Sequence, residues 1–387
     1  MILRKLSIAV INPYLNALTG VVRLTFDVAQ VLKSISKHVE VITFGTIDKE
    51  VLTKYSNVNV PIYVPDESNL KRFSLIKKIA FINKLRRKLK DLPFDVLFFT
   101  DGYYLVRGFR NILKILYAYF PYSLSYNKSF RKEVEDAPLI KKLKRYMAKE
   151  LEKLLIYKDE YVKGVIVYSN FVKQVFKRYL GIVPYVLMPP LNTDFFVPPP
   201  NLDRKFNSNT KIILCVTRFH PNKEHELVIE AFKRYIKRRD TWLIIAGYVS
   251  DMYYFEFIKR LASKDYRIVL IPNPSDQELL KLYQGAIVFW YVHEEHCATT
   301  PLEAMACATP VIMLNKPGLN EVVQPGINGY LANNLKELGK VTEQLLNDVE
   351  TLFKLGISAR NIVVKAYGYA TFKANLEKIL EKILRTG

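Results

Sequence analysis

Cysteine is scarce in this chain. Among 387 residues there are three, Cys215, Cys297 and Cys307, and their spacing matches no metal-ligand pattern. An odd and sparse set excludes a disulfide framework and a cysteine zinc site, and reads as a cytosolic, reduced protein. No Asp-x-Asp pair occurs, so a metal-dependent chemistry built on paired aspartates has no anchor, and no metal or other cofactor is expected. No apolar run approaches the roughly 18 residues of a membrane span. The opening Met1-Ile-Leu-Arg-Lys-Leu-Ser-Ile-Ala-Val-Ile11 runs directly into Asn12-Pro13 and reads as a first strand instead of a signal peptide. Acidic residues are also few, 37 against 58 Lys+Arg, which leaves a net charge of +21.

What is present begins with that charge. Residues 1–192 hold 33 Lys+Arg against 16 Asp+Glu, so most of the excess lies in the first half. Residues 71–90 carry nine cations and no acid. Apolar Leu75, Ile79, Ile82, Leu85 and Leu89 fall near helical spacing among them. A basic amphipathic helix of this kind docks on an anionic membrane surface, each cation near it contributing about 1 kcal/mol. Lys141-Lys142-Leu-Lys144-Arg145 adds to the same character. The plainer reading is a helix packed on its domain with a solvated basic edge. Nucleic acid is not expected as a partner, because no recognition module accompanies the charge.

Half of the residues are hydrophobic, and the length suits two domains, each with its own core. Strand and helix patterns alternate. Leu6–Ile11, Val39–Phe44, Asp95–Thr100 and Val165–Tyr168 read as strands, with helices over Val21–Lys37 and, after Ser169-Asn170, over Phe171–Tyr179. The pattern then restarts with strands at 211–216, 242–246, 268–271, 286–291 and 310–314. Repeated β-α units with two fresh starts predict an α/β protein of two Rossmann-like, doubly wound domains. The expected division is an N-terminal domain over 1–192, a linker over 193–210, and a C-terminal domain over 211–365. A final helical segment, 366–387, is expected to cross back to the first domain.

The most informative segment is Glu295-His-Cys-Ala-Thr-Thr-Pro-Leu-Glu303-Ala-Met-Ala-Cys-Ala-Thr-Pro-Val-Ile312. Thr300, Pro301 and Glu303 read as N-cap, N1 and N3 of a helix. A helix N-terminus offers free N–H groups and partial positive charge to a phosphate, and flanking carboxylates accept hydrogen bonds from sugar hydroxyls. The plainer reading is a capping-box Glu303 and a solvated Glu295. The segment resembles the E-x7-E signature of family 4 retaining glycosyltransferases, which have the two-domain GT-B fold. It keeps Glu295, Glu303, Ala304-Met305-Ala306 and Pro310-Val311, and departs at Cys297-Ala298, where Phe-Gly is usual, and at Ala308, where Gly is usual. The resemblance implies that Glu295 meets the transferred sugar and Glu303 the ribose, with Cys297, Ala298, Thr299 and Thr300 lining the donor site. Glu294 is the off-by-one competitor for the first role.

Val216-Thr-Arg218-Phe-His-Pro-Asn-Lys223 resembles the family's R-x4-K element, in which the two cations hold a pyrophosphate. A guanidinium fork and a point-charge ammonium suit a diphosphate. Gly318-Leu-Asn-Glu321 through Gly329-Tyr-Leu331 and Met188-Pro-Pro-Leu-Asn-Thr-Asp194-Phe-Phe196 resemble two further family runs. The first half fits less closely. A single Gly20 stands where a Gly-Gly pair is common near the donor phosphates, and Tyr119 stands where a His usually precedes the aromatic-Pro pair. Tyr119 and Asp101, which precedes Gly102, are the acceptor-side candidates; Asp101 is equally a turn-forming residue.

The resemblance therefore implies two domains facing a cleft and metal-independent, retaining transfer of a hexose from a UDP- or GDP-sugar. The acceptor would be lipid-linked or a polysaccharide, with the enzyme cytoplasmic and peripheral on the inner face of the membrane. Arg218, Lys223 and Glu295 are the catalytic candidates. A GT-B epimerase or phosphorylase, and a catalytically silent GT-B binding protein, are the competing readings.

Overall fold

Runs of β-branched and aromatic residues become the buried strands of two parallel sheets, as expected where helices cover both faces. The computed structural model describes residues 2–13, 15, 20–43, 47–55, 61–63, 93–101, 106, 109, 111–121, 146–147, 150, 159–293, 299–318 and 320–385. It divides into two units, Met1–Pro190 with Phe372–Gly387, and Leu191–Thr371.

The first unit contains β1 (Ser7–Ile11), α1 (Gly20–Ile35), β2 (His38–Ile42), α2 (Lys49–Lys54), β3 (Ile62–Tyr63), β4 (Val96–Phe99), β5 (Leu113–Ala118), β6 (Val162–Val167), α3 (Asn170–Leu180) and β7 (Tyr185–Val186). Its strand order is β3-β2-β1-β4-β5-β6-β7, and every pairing is parallel. At the carboxyl ends of β1 and β4, buried Asn12, Thr25 and Thr100 satisfy one another through hydrogen bonds of 2.8 Å. Ser169 caps α3 by accepting from the Val172 N–H, so Asn170 lies inside the helix.

The second unit contains α4 (Leu202–Phe206), β8 (Lys211–Val216), α5 (His225–Tyr235), β9 (Thr241–Gly247), α6 (Met252–Ala262), β10 (Ile268–Pro272), α7 (Asp276–Gly285), β11 (Val288–Tyr291), α8 (Thr299–Ala306), β12 (Val311–Leu314), β13 (Gly329–Ala332), α9 (Leu335–Leu346) and α10 (Val349–Tyr367). Its sheet runs β10-β9-β8-β11-β12-β13, again parallel. The Pro-rich stretch before β8 is not bare chain, since α4 buries Phe206 in the core of this unit. The last helix, α11 (Tyr369–Arg385), buries Phe372, Leu376, Leu380 and Ile383. Ile383 lies against Gly164 of β6, where a Cβ would stand 2.3 Å from its Cδ1. Among the described residues, no helix is long and apolar enough to cross a membrane.

Candidate functional site

The order of the second sheet decides which loops meet. β9 and β10 lie on one side of β8, and β12 and β13 lie on the far side of β11. The strand order therefore reverses between β8 and β11, which pair directly. In doubly wound folds ligands bind outside the carboxyl ends of the strands at such a reversal. The loop leaving β8 carries Arg218 and Lys223, and the chain leaving β11 passes through His293 towards residues 294–298. Glu294, Glu295, Cys297 and Ala298 lie outside the described residues, as do residues 71–90 and 141–145.

The cation loop is tightly built. Pro221–Lys223 forms one 3₁₀ turn, entered through His220, whose ring nitrogen accepts from the Asn222 N–H, and left through Glu224 in the left-handed region at φ 48°. Thr217 N–H donates to the Ala246 carbonyl at 3.0 Å and Phe219 N–H to the Tyr248 carbonyl at 2.8 Å. This close approach explains Gly247, where a Cβ would fall 1.9 Å from the Thr217 carbonyl oxygen. Arg218 is exposed, whereas Lys223 is only 5% exposed.

Beneath these cations lies a buried cluster that local sequence patterns do not announce. His225 Nε2 lies 3.0 Å from Thr217 Oγ1, and its ring stacks on Phe219 at 4.9 Å. His293 stands 5.8 Å from the His225 ring and 3.9 Å, Nε2 to Sγ, from Cys215. Burial pulls the His225 pKa down to about 4, with the Lys223 charge acting in the same direction. Burial likewise holds His293 well below the usual histidine range, helped by His225 and Lys223, and pushes the Cys215 thiol up to about 12. Near neutral pH His225, His293 and Cys215 are therefore uncharged beneath the loop.

Helix α8 begins at Thr299. Thr300 and Pro301 therefore lie two positions further inside it than the capping pattern predicts. Glu303 is 5% exposed, and its Oε2 accepts from the Tyr283 hydroxyl at 2.8 Å. Tyr283, fully buried at the end of α7, rests edge-on against Phe196 at 5.8 Å. The far end of α8 closes in a Schellman turn, with Ala308 N–H donating to Met305 and Thr309 N–H to Ala304, both at 2.9 Å. Ala308 takes the left-handed position at φ 55°, which is the physical reason Gly is usual there. Lys205, also unannounced by the sequence, donates to the Cys307 carbonyl at 3.0 Å, Ala308 at 3.3 Å, Tyr283 at 3.4 Å and Thr309 Oγ1 at 2.6 Å. It ties the ends of α7 and α8 together.

In the first unit, Gly20 is the first residue of α1, and a Cβ there would meet nothing within 4 Å. Asp101 follows β4 and Tyr119 follows β5, both half-buried, and the Tyr119 ring meets that of Tyr168 edge-on at 5.3 Å. Among the described residues, no group of three or more His, Cys, Asp or Glu side chains is arranged to hold a metal ion.

Residues 202–362 match the family model described as glycosyl transferases group 1. Over 98% of this chain and 99% of the other, the sequence is 25% identical to alpha-1,3/1,6-mannosyltransferase ALG2 of Dictyostelium discoideum. The human protein of that name is 25% identical over 58% of this chain and 61% of its own length. Among solved structures, HepE of Anabaena in complex with UDP and glucose superposes with a TM-score of 0.77 at 13% identity, covering 97% of this chain and all of that one. At that identity the likeness concerns the fold, which is GT-B.

Proposed function

We propose, from the premise that residues 202–362 belong to the glycosyl transferases group 1 family, that this glycosyltransferase moves a mannosyl or related hexosyl group from a nucleotide diphosphate sugar to a lipid-linked or polysaccharide acceptor, with retention and without a metal. The supporting observation is the meeting of the Arg218–Lys223 loop with the chain leaving β11 at the reversal of the second sheet. The full-length likeness to a mannosyltransferase favours mannose among hexoses.

In this reading Arg218 and Lys223 take the diphosphate. As the C1–O bond to phosphate breaks, negative charge builds on the leaving group, and fixed cations stabilise it without reorganisation. The first turn of α8, with Thr299 and Thr300, adds N–H dipoles. Glu303, oriented by Tyr283, accepts from the ribose, and Glu295 contacts the transferred sugar. The acceptor oxygen bonds to C1 on the face the phosphate leaves, and the departing phosphate takes the acceptor proton. On the first unit, Gly20 at the start of α1 is assigned to donor phosphate, and Asp101 and Tyr119 to the acceptor side. Residues 71–90 are assigned to attachment at an anionic membrane surface.

The test begins with thermal shift against UDP-, GDP- and ADP-sugars, since a ligand that binds the folded state raises the midpoint. Transfer to an acceptor is then followed with the sugar that shifts it. Glu303→Ala is expected to weaken donor binding and Glu295→Ala chiefly to lower turnover. Failure of every nucleotide sugar to bind, or unchanged kinetics in both variants, would remove the donor-site assignment.

A further inference from the structure

The outward face of α6 carries more apolar surface than its own core requires. Tyr254, Ile258 and Ala262 already bury the inward face. On the other side Met252 is 62% and Tyr253 93% exposed, with Tyr248 at 61% on the approach and Phe257 at 40% one turn on. Among the described residues, no other stretch of ten gathers four exposed large hydrophobics.

The patch is held rigidly. Phe219 N–H donates to the Tyr248 carbonyl at 2.8 Å. The Phe219 carbonyl accepts from the N–H of Ser250 and Asp251 at 3.3 and 3.2 Å, and from Ser250 Oγ at 3.1 Å. Phe255 meets the Phe219 ring edge-on at 4.9 Å. The approach to α6 is thus strapped to the residue following Arg218, at the carboxyl end of β9.

The surrounding charge selects the occupant. Arg260 and Lys264 are exposed along and just beyond the helix. Glu256 pairs with Lys259 at 3.6 Å, and Asp251 caps the helix by accepting from the Tyr254 N–H at 3.0 Å. Tyrosines and a methionine at a helix tip, bordered by cations, match the headgroup layer of an anionic bilayer, where amphipathic rings settle and basic side chains meet lipid phosphate.

We propose that Tyr248, Met252, Tyr253 and Phe257 form a membrane-docking surface on the second unit, distinct in sequence from the basic segment 71–90, which seats the amino-terminal end of α6 against anionic lipid. The inference extends the membrane attachment proposed above and does not depend on the identity of the sugar donor.

The test uses the full chain carrying Tyr253→Trp, mixed with vesicles of phosphatidylcholine alone or with roughly 30% phosphatidylglycerol, an anionic fraction that sets up a negative surface potential. Emission from the introduced indole should shift to the blue and be quenched by bromine-labelled acyl chains in the anionic vesicles. Met252→Ser with Tyr253→Ser should reduce vesicle binding by roughly tenfold or more, as expected for losing two inserted side chains, with the unfolding midpoint and the nucleotide-induced shift unchanged. Vesicle binding that is abolished by Lys84, Arg86, Arg87 and Lys88→Gln, without any quenching of the indole at position 253, would overturn the docking surface while leaving membrane attachment intact. No binding of the native chain to either vesicle would remove both. A concentration-dependent dimer that the double Ser variant abolishes would assign the patch to a second copy and also overturn the proposal.

Discussion

Tyr283→Phe isolates one hydrogen bond at the heart of the candidate site. The substitution deletes the hydroxyl that donates to Glu303 Oε2 at 2.8 Å and keeps the ring against Phe196 and Phe289, at 5.8 and 5.9 Å. No cavity follows, so the change reports on the bond alone. Both residues are buried, and a hydrogen bond to a charged acceptor is worth about 1.5–3 kcal/mol. For a domain of this size each kcal/mol moves the melting point by about 2–4 °C, so a fall of about 3–12 °C is expected. If the bond also aims the carboxylate at a ribose, nucleotide affinity falls with it, by about tenfold for each 1.4 kcal/mol of lost orientation. Calorimetric melting of the apo protein, with titration of the nucleotide that binds the native chain, reads both quantities. An unchanged melting point would refute the energetic argument. A lowered melting point with unaltered nucleotide affinity would reduce Tyr283 and Glu303 to structural roles.

Arg218→Ala and Lys223→Ala are each expected to slow sugar transfer by roughly tenfold to a thousandfold, the range for one lost transition-state donor; excess EDTA should leave the native rate unchanged in the same assay. Burial lowers the Lys205 pKa from 10.5 to about 7, so the unfolded chain holds the extra proton between those values and stability rises with pH across that window. Lys205→Met should flatten that rise in urea titrations at pH 7 and 9, and should lower stability by about 2–4 kcal/mol by leaving buried acceptors without their donor. The His225 pKa is depressed from 6.5 to about 4, so stability is complete above about pH 6.5 and is lost as pH falls towards 4; His225→Gln should weaken that acid dependence in melting experiments. Ala308→Gly should stabilise the chain by about 0.5–1 kcal/mol by relieving the left-handed backbone at φ 55°, measured by denaturant titration at pH 7.

The architecture was legible because it is written in local periodicity. Val288–Tyr291 and Val311–Leu314 are apolar at every position, and every one of those residues is buried, as parallel strands under two helix layers must be. The restart of β-α units at Lys211 coincides with β8, the first strand of a second sheet. The cation pair, Glu303 and the departure at Ala308 could be named from the resemblance of their segments to the family's motifs.

Partners across long sequence separations were not legible. Tyr283 stands twenty positions before Glu303, and Lys205 reaches Cys307 and Thr309 more than a hundred residues away. Neither side chain differs in local pattern from a surface residue of its type. The start of α8 lies two residues before the position that the Thr300-Pro301 capping pattern predicts. His225 and His293 read as unremarkable residues of a loop and a strand end until β8 pairs with β11 and brings them within 5.8 Å under Lys223. By itself the sequence determined two doubly wound sheets and the residue types at the carboxyl ends of their strands, because side-chain period and turn chemistry act over a few residues. Strand order, which depends on how whole hydrophobic faces are buried against one another, decided which loops became neighbours, which carboxylate received a tyrosine, and which histidines were left neutral beneath the cations.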